Sequence, residues 1–439
     1  MASITTYFSI SIAVVSFIEL LLYLHYRKRK DQNNNQKAKY EVIFYPDGSK
    51  TDVINKLLMG PSTQRFVDIL EQASKSLDVC VYLIMNPMLA DILVTLSKEK
   101  GVLVRLITDA SNTGEQCDVE YANVGQLRRA GIEVRTNQVE EKVLLHHKFV
   151  IVDGKTFLGG SFNWSMAGTT RNFENVIITT DVSVVKPYQD QFNNLWNQYH
   201  PDNMPPVSPD LSPIEHVWDL IGRRLRALPQ PRSEDELWLM VEREWTAIPQ
   251  DIIESVPRHV AACIAKLKNE NKAKYEVLNY PDGTKTDFSN NIIMGPSTSR
   301  LVEVLQQATK SVDVCVYLIT NPMLADILVK LSTEKGVLVR MITDASNTGE
   351  QCDVYGSQIG QLRRAGIEVR TKQVSEKVLL HHKFAIVDGK TFLGGSYNWS
   401  LAAATSNFEN LIITTDVSVV KPYQNQFNNL WNQYHPDNM

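Results

Sequence analysis

The sequence predicts an α/β protein in which one domain occurs twice. Segment 37–204 returns at 272–439 without insertion or deletion, so that LLHHKFVIVDGKTFLGGSFNWS at 144–165 becomes LLHHKFAIVDGKTFLGGSYNWS at 379–400. Within each copy, short apolar runs typical of strands alternate with segments whose apolar residues recur at helical spacing. Each copy is long enough to bury its own core. We therefore expect two homologous α/β domains.

The strands of the first copy are predicted from apolar runs flanked by turn residues. They are YEVIFY at 40–45, LDVCVYLI at 77–84, VLVRLITD at 102–109 and NVIITT at 175–180. The same runs, with few changes, recur in the second copy, which predicts the same sheet there.

The helices are predicted from apolar residues spaced three and four apart. One stripe consists of Phe66, Ile69, Leu70 and Ala73, and a second of Tyr188, Phe192, Leu195, Trp196 and Tyr199. We interpret these aromatic residues as core. Pro61 and Pro87 are typical of helix starts, and Gly101 and Gly131 of helix ends.

The N-terminal 36 residues predict a membrane anchor. Residues 4–26 are mostly apolar and about as long as the ~20 residues that cross a bilayer. Basic residues at 27–30 follow directly, which favours an uncleaved anchor with both domains on the cytosolic side. A buried core helix is the alternative, and Glu19 within the span weakens the anchor interpretation.

Segment 205–271, between the copies, differs from both in sequence pattern and is predicted to be a helical insert. SPDLSPIEHVWDLIGRRLR at 208–226 resembles the C-terminal part of mariner-type transposases, whose third catalytic carboxylate would fall on Glu215. A two-metal nuclease needs several converging carboxylates, and no earlier motif of that family precedes this one. We interpret the insert as a spacer derived from mobile DNA or from a gene-model fusion.

Charge and cysteine content exclude several classes of protein. Forty-five basic and 49 acidic residues give a net charge of −4, unlike a bulk nucleic-acid binder. Any contact with RNA must therefore be made by local groups of basic side chains. The alternative interpretation of these side chains is solvated surface charge. The candidates are Arg105, Arg128, Arg129, Arg135 and Lys142 with their equivalents Arg340, Arg363, Arg364, Arg370 and Lys377. The five cysteines, Cys80, Cys117, Cys263, Cys315 and Cys352, form no C-x-x-C pair, so neither a disulfide framework nor a zinc site is predicted.

The duplicated motif carries residues suited to phosphodiester chemistry. His146 and Lys148 are two apart, so on a strand their side chains share one face while His147 points to the other. An imidazole can act as nucleophile, acid or base near neutral pH, and a fixed ammonium can neutralise phosphate oxygens. Asp153 has the opposite strand parity and is assigned a supporting role. Gly160, Ser161 and Asn163 follow a short run that would return as a hairpin partner and bring donors to a phosphate.

The motif resembles the signature of the phospholipase D superfamily, and it occurs here twice. It consists of H-x-K, an Asp after four further residues, and then the Gly-Ser and Asn at 160, 161 and 163. HHKFAIVDGK, GSYNWS and NFENLIITTD are more closely similar to the mitochondrial cardiolipin hydrolase group, also called Zucchini endonucleases. The resemblance implies a phospholipase-D-type fold, a mixed sheet flanked by helices, in each copy. It also implies a metal-free mechanism without cofactors, in which one histidine forms a phosphohistidine and the other protonates the leaving oxygen. The catalytic residues implied are His146, Lys148, Asp153, His381, Lys383 and Asp388, and the phosphate-binding or supporting residues are Ser161, Asn163, Glu174, Ser396, Asn398 and Glu409, with Glu174 and Glu409 orienting imidazoles.

Several consequences of the resemblance stay open at the level of sequence. The substrate implied is cardiolipin, single-stranded RNA in the maturation of germline silencing RNAs, or both, at the mitochondrial outer membrane. The active site is expected to form between the two copies of one chain or between chains of a homodimer. The zinc-binding insertion of many group members is missing, because PDGSKTDVINKLLMG lacks Cys and His. A catalytically silent, membrane-tethered scaffold is the alternative from another functional class, and intact motifs in both copies argue against it.

Overall fold

The computed structural model describes residues 40–52, 57–113, 123–137, 143–200, 275–287, 292–348, 356–372 and 378–436. The predicted anchor at 1–36 and the predicted insert at 205–271 lie outside these residues, as do Cys117, Cys263, Cys352, Lys142 and Lys377. Within the described part of the chain, no helix has both the length and the apolar character required to span a bilayer.

Both copies fold as α/β domains with the same element order. The strands of the first copy are β1 (Tyr40–Tyr45), β2 (Lys50–Thr51), β3 (Leu57–Leu58), β4 (Ser76–Val81), β5 (Leu103–Thr108), β6 (Glu133–Thr136), β7 (Lys148–Val152), β8 (Thr156–Gly160) and β9 (Glu174–Thr179). Its helices are α1 (Pro61–Glu71), α2 (Pro87–Lys98), α3 (Val124–Arg129), α4 (Met166–Thr170) and α5 (Val182–Gln198), with a 3₁₀ turn at Ala110–Asn112.

The second copy repeats this order. Its strands are β10 (Tyr275–Tyr280), β11 (Lys285–Thr286), β12 (Ile292–Ile293), β13 (Ser311–Val316), β14 (Leu338–Asp344), β15 (Glu368–Lys372), β16 (Lys383–Val387), β17 (Thr391–Gly395) and β18 (Glu409–Thr414). Its helices are α6 (Pro296–Gln306), α7 (Pro322–Thr333), α8 (Ile359–Arg364), α9 (Leu401–Thr405) and α10 (Val417–Gln433), and its 3₁₀ turn is Ala345–Asn347.

Each domain is built on a mixed seven-stranded sheet. The order is β1-β9-β8-β7-β4-β5-β6 in the first copy and β10-β18-β17-β16-β13-β14-β15 in the second. β4, β5 and β6 are parallel, whereas β7, β8, β9 and β1 continue the sheet in antiparallel fashion. The prediction of two tandem α/β domains is confirmed.

Most of the predicted elements appear where their sequence signals lie. Pro61 and Pro87 occupy the first turns of α1 and α2, and Gly101 and Gly131, after α2 and α3, have φ of +66° and +83°. The predicted strand 77–84 is shorter, because β4 ends at Val81. Beyond that point the chain leaves the ladder, and the backbone N–H of Tyr82 donates to the carbonyl of His147.

The two domains share a third hydrophobic core in addition to one core each. α5 of the first domain packs on β10 of the second, and α10 packs reciprocally on β1. The aromatic stripe from Tyr188 to Tyr199 is core, as predicted, but it lies in this shared cluster. Tyr40 stacks on its own repeat equivalent, Tyr275, with ring centroids 4.3 Å apart. Equivalent residues that meet in this way place both rings beside a pseudo-twofold axis.

Candidate active site

The histidines, lysines and glutamates of both motifs gather where the same ends of neighbouring strands meet in each sheet. Lys148 and Glu174 are the first residues of β7 and β9, and β4 and β5 end at this same edge. His146 precedes β7, and its backbone N–H donates to the carbonyl of Phe408 in the second domain, 2.9 Å away. The reciprocal bond joins His381 to the carbonyl of Phe173 at 3.0 Å. The strand starts that carry the two histidines are therefore tied to the opposite domain.

Each histidine is paired with the glutamate of the other domain. His146 Nδ1 lies 2.8 Å from Glu409 Oε1, and His381 Nδ1 lies 2.8 Å from Glu174 Oε1. An ionised carboxylate at Nδ1 selects the tautomer that carries its proton there and leaves Nε2 unprotonated, whereas a protonated carboxyl group donates to Nδ1 and leaves the ring proton on Nε2. The family resemblance implied an orienting role for these glutamates, but it could not show that the pairs cross between domains.

Serine hydroxyl groups hold the two glutamates in place. Ser161 Oγ donates to Glu174 Oε2, and Ser396 Oγ to Glu409 Oε2, both at 2.6 Å. Both carboxyl groups are fully buried. Ser161 and Ser396 thus support the glutamates, which is one of the two roles, phosphate binding or support, expected for them. The side-chain oxygens of Asn163 and Asn398 are buried without a hydrogen-bond partner among the described residues.

The two motif lysines are buried and point back to their own histidines. Lys148 Nζ donates to the carbonyl of His146 at 2.7 Å, and Lys383 Nζ to that of His381 at 2.9 Å. Burial lowers the pKa of Lys148 to about 7 and that of Lys383 to about 8, although Glu174 and Glu409 oppose the change. Each ammonium group is thereby held beside the backbone of its own motif histidine.

Burial shifts the pKa of the glutamates and of the histidines of the site in opposite directions. Burial raises the pKa of Glu174 and of Glu409 to about 8, against the opposing effect of the two lysines. Burial, reinforced by the lysine charges, lowers the pKa of His146 and His381 well below the usual histidine value. The imidazoles are therefore uncharged at neutral pH, which an attacking nitrogen requires.

A second polar network across the domain boundary surrounds this centre, and sequence reasoning missed it. Asn410 Nδ2 donates to His147 Nδ1 at 2.8 Å, while its Oδ1 accepts from the hydroxyl of Tyr188 at 2.9 Å. The equivalent contacts in the other half link Asn175 to His382 at 2.9 Å and to Tyr423 at 2.8 Å. The signal for this network was the second histidine of each HH pair, which strand parity pointed away from the motif face.

Asp153 and Asp388 do not join the histidine–lysine centre. Asp153 follows the far end of β7, about 16 Å along the strand from Lys148 at the usual rise per residue. Its carboxylate accepts the backbone N–H groups of Ser74, Lys75 and Ser76 at 2.8 to 3.1 Å, and Asp388 is bonded in the same way by residues 309–311. The carboxylates fasten a turn to the start of β4 and of β13, which fits the supporting role expected from strand parity better than the catalytic role that the resemblance implies.

We expect Asp153→Asn and Asp388→Asn to lower stability and leave turnover within about twofold of wild type. Asparagine tolerates the positive φ of 52° and 53° at these positions but offers one acceptor oxygen to several donors, at a cost of about 1 to 2 kcal/mol. Although burial alone would raise it, hydrogen bonds from residues 74–76 lower the pKa of Asp153 to about 2. A depressed folded-state pKa contributes stability above the unfolded value of about 4 that is lost as pH falls towards 2. Denaturant unfolding at pH 7 and pH 3 should show the deficit shrinking on acidification, and a thousandfold loss of turnover would restore the catalytic assignment.

Four of the arginines proposed for RNA contact belong to the packing of the fold. Arg105 forms a two-pronged pair with Asp78 at 2.7 and 2.8 Å and lies over the ring of Phe192. Arg135 lies 4.0 Å from the centroid of the Trp196 ring and is largely buried. Arg340 and Arg370 repeat these contacts in the second domain. Arg128, Arg129, Arg363 and Arg364 lie on α3 and α8.

Comparison with known proteins agrees with this geometry. The family described as cardiolipin synthase, PLD-like domain, matches residues 66–196 and again 301–431, more than half of the chain. A mitochondrial cardiolipin hydrolase from Danio rerio is 39% identical over 160 residues, which cover 36% of this chain and 63% of that protein. Its counterpart from Xenopus laevis is 45% identical over 138 residues, covering 31% and 62%. The chain thus spans less than two thirds of the length of these two relatives.

A solved structure supports the fold of both halves together. The phosphatidylserine synthase of Haemophilus influenzae Rd KW20 aligns with 93% of this chain and 90% of its own, with a TM-score of 0.55 and 15% identity. At that identity the likeness concerns the fold alone. The resemblance found in the motifs is confirmed, and the chain belongs to the family of proteins with a phospholipase-D-like (PLD-like) domain, which it carries in two tandem copies.

Proposed function

We propose that the chain is a phosphodiesterase whose two domains form one active site within a single molecule. The observation that carries this proposal is the pair of crossed contacts, His146 with Glu409 and His381 with Glu174, each 2.8 Å long. Neither domain alone supplies a histidine together with the carboxylate that orients it. The crossed pairs therefore favour a shared centre over two separate ones.

The two histidines divide the chemistry of one phosphodiester cleavage between them. One Nε2 attacks phosphorus and forms an N–P bond as the ester P–O bond breaks. The other imidazole, whose glutamate partner is protonated and donates to Nδ1, carries its own proton on Nε2 and gives it to the leaving oxygen while Nδ1 takes the proton of the glutamate. The second histidine then takes a proton from water, whose oxygen displaces the first histidine from phosphorus and regenerates the enzyme. Lys148 and Lys383 stabilise the charge that develops on the phosphoryl oxygens.

A phospholipid in the membrane is the substrate class that we favour, with single-stranded RNA as the second candidate. The names of the Danio and Xenopus relatives support cardiolipin and a mitochondrial location. The packing of Arg105, Arg135, Arg340 and Arg370 removes four of the groups expected to contact RNA. An anchor at 1–36 in the mitochondrial outer membrane, with the domains at 37–204 and 272–439 facing the cytosol, completes the proposal, and the insert at 205–271 takes no part in it.

The test offers the full-length protein, in detergent, two substrates side by side without added divalent metal. Cardiolipin liposomes and a labelled single-stranded RNA are followed for phosphatidic acid and for shortened RNA. We expect phosphatidic acid to appear and to depend on His146 and His381. Cleavage of RNA alone would reverse the order of the two candidates, and no turnover of either would favour the scaffold.

A further inference from the structure

Two half-buried tyrosines, one per domain, contact both reactive groups of their own motif. The ring of Tyr82 meets that of His146 edge-to-face, with centroids 5.1 Å apart and planes at 65°. The same ring lies beneath the Lys148 ammonium, whose Nζ is 5.3 Å from its centroid. In the second domain Tyr317 repeats the arrangement, 5.2 Å from His381 and 5.6 Å from Lys383 Nζ.

The backbone of each tyrosine is fixed from three directions. The N–H of Tyr82 donates to the carbonyl of His147 at 2.7 Å. Its own carbonyl accepts from Asn112 Nδ2 at 3.0 Å and from Thr108 Oγ1 at 3.2 Å. Tyr317 is held by the equivalent bonds to His382, Asn347 and Thr343. A ring on so constrained a backbone can set the position of what packs on it.

We propose that Tyr82 and Tyr317 are positioning residues that orient the histidine rings and keep the neighbouring lysine ammonium groups charged. The negative face of an aromatic ring attracts an ammonium, and the attraction grows when water is removed. Lys148 and Lys383 are almost fully buried, with 2% and 1% of their surface exposed. The inference rests on the proposed function, in which these ammonium groups neutralise the reacting phosphoryl group.

Several other charged or titratable groups act on the same two ammonium groups. Glu174 and Glu409 favour the charged form of both lysines, and Asp109 does so for Lys148. Lys148 interacts electrostatically with His146, His147 and Cys80, and Lys383 interacts in the same way with His381 and His382. Burial nevertheless brings the pKa of Lys148 to about 7 and that of Lys383 to about 8, so a modest loss of attraction changes their charge near neutral pH.

Leucine and phenylalanine replacements separate this role from simple packing. Leucine fills much of the space but has no ring quadrupole, whereas phenylalanine keeps the ring and loses only the hydroxyl. We therefore compare Tyr82→Leu with Tyr82→Phe, and Tyr317→Leu with Tyr317→Phe, in the full-length protein. Thermal melts establish that each variant is folded.

The first measurement titrates the lysines by carbon NMR of the side-chain Cε and needs no substrate. Tyr82→Leu should lower the titration midpoint of Lys148 by about half to one pH unit, and that of Lys383 by less. Tyr82→Phe should leave both midpoints within about 0.2 unit, and the Tyr317 variants should act mainly on Lys383. Equal midpoints in the tyrosine and leucine proteins would overturn the inference, even if no turnover of any substrate were found.

The second measurement follows turnover against pH on whichever substrate the enzyme cleaves. A lower lysine pKa means that the ammonium is lost at lower pH, so the alkaline limb of kcat/KM should move down by the same half to one unit in the leucine variants. The phenylalanine variants should retain the wild-type limb. An equal loss of kcat/KM at all pH values in the leucine and the phenylalanine variants would show that the tyrosines only pack against the site.

Discussion

His146→Asn and His381→Asn should each abolish turnover in the monomeric protein, by a factor of about 10³ or more. If both histidines serve one centre, the loss of either removes the nucleophile or the group that protonates the leaving oxygen, and the intact domain cannot compensate. The measurement is the initial rate on the cleaved substrate, with the monomer isolated by gel filtration.

A matched control distinguishes this loss from damage to the fold. His435 lies just beyond α10, outside the site, so His435→Asn should keep activity within about twofold of wild type. About half of the wild-type rate in either single motif variant would indicate two independent centres, one per domain. Such a result would remove the basis of the shared mechanism.

Glu174→Gln and Glu409→Gln should each reduce turnover by about 10²-fold or more, with a larger loss at pH 8 than at pH 6.5. Glutamine can still accept a hydrogen bond from Nδ1, but it cannot stabilise the imidazolium that forms when the ring takes a proton. Each glutamate also raises the pKa of Lys148 and Lys383 against burial. Its removal should therefore lower the lysine pKa and extend the loss of the ammonium to lower pH, which a pH–rate profile from 6 to 9 would show.

The crossed geometry gives this prediction an internal control. The Nδ1 proton of His381 should change its NMR resonance in Glu174→Gln, because that carboxyl group lies 2.8 Å away. It should change little in Glu409→Gln, although Glu409 belongs to the same domain as His381. The opposite pattern would mean that each domain orients its own histidine.

Much of the site could be predicted because the relevant contacts are local. The HxK spacing predicts histidine and lysine on one strand face. In the structure Lys148 and Lys383 begin β7 and β16, and each motif histidine lies two residues before the strand. The repeat predicted two equivalent sets of motif residues. The apolar stripes likewise predicted the buried faces of α1 and α5.

The contacts that could not be predicted join residues far apart in sequence. Glu409 meets His146 and Asn410 meets His147 because α5 and α10 pack on the opposite domains, and no spacing rule encodes that arrangement. The position of Asp153 relative to the histidines could not be predicted from the motif, because a motif gives order along the chain, whereas β7 separates Asp153 from Lys148 by the length of the strand. From the sequence Arg105 was interpreted as a candidate RNA contact or as surface charge. In the structure it pairs with Asp78 on the neighbouring strand.

Mixing two inactive full-length chains tests the shared centre most directly. One chain carries His146→Asn and the other His381→Asn, and the mixture is unfolded and refolded together before its rate is compared with that of wild type. If each molecule pairs its own two domains, neither chain holds both histidines, and the mixture should stay as inactive as its components. Recovery of a quarter or so of wild-type activity would show that domains from different chains complete the site, and would contradict the account.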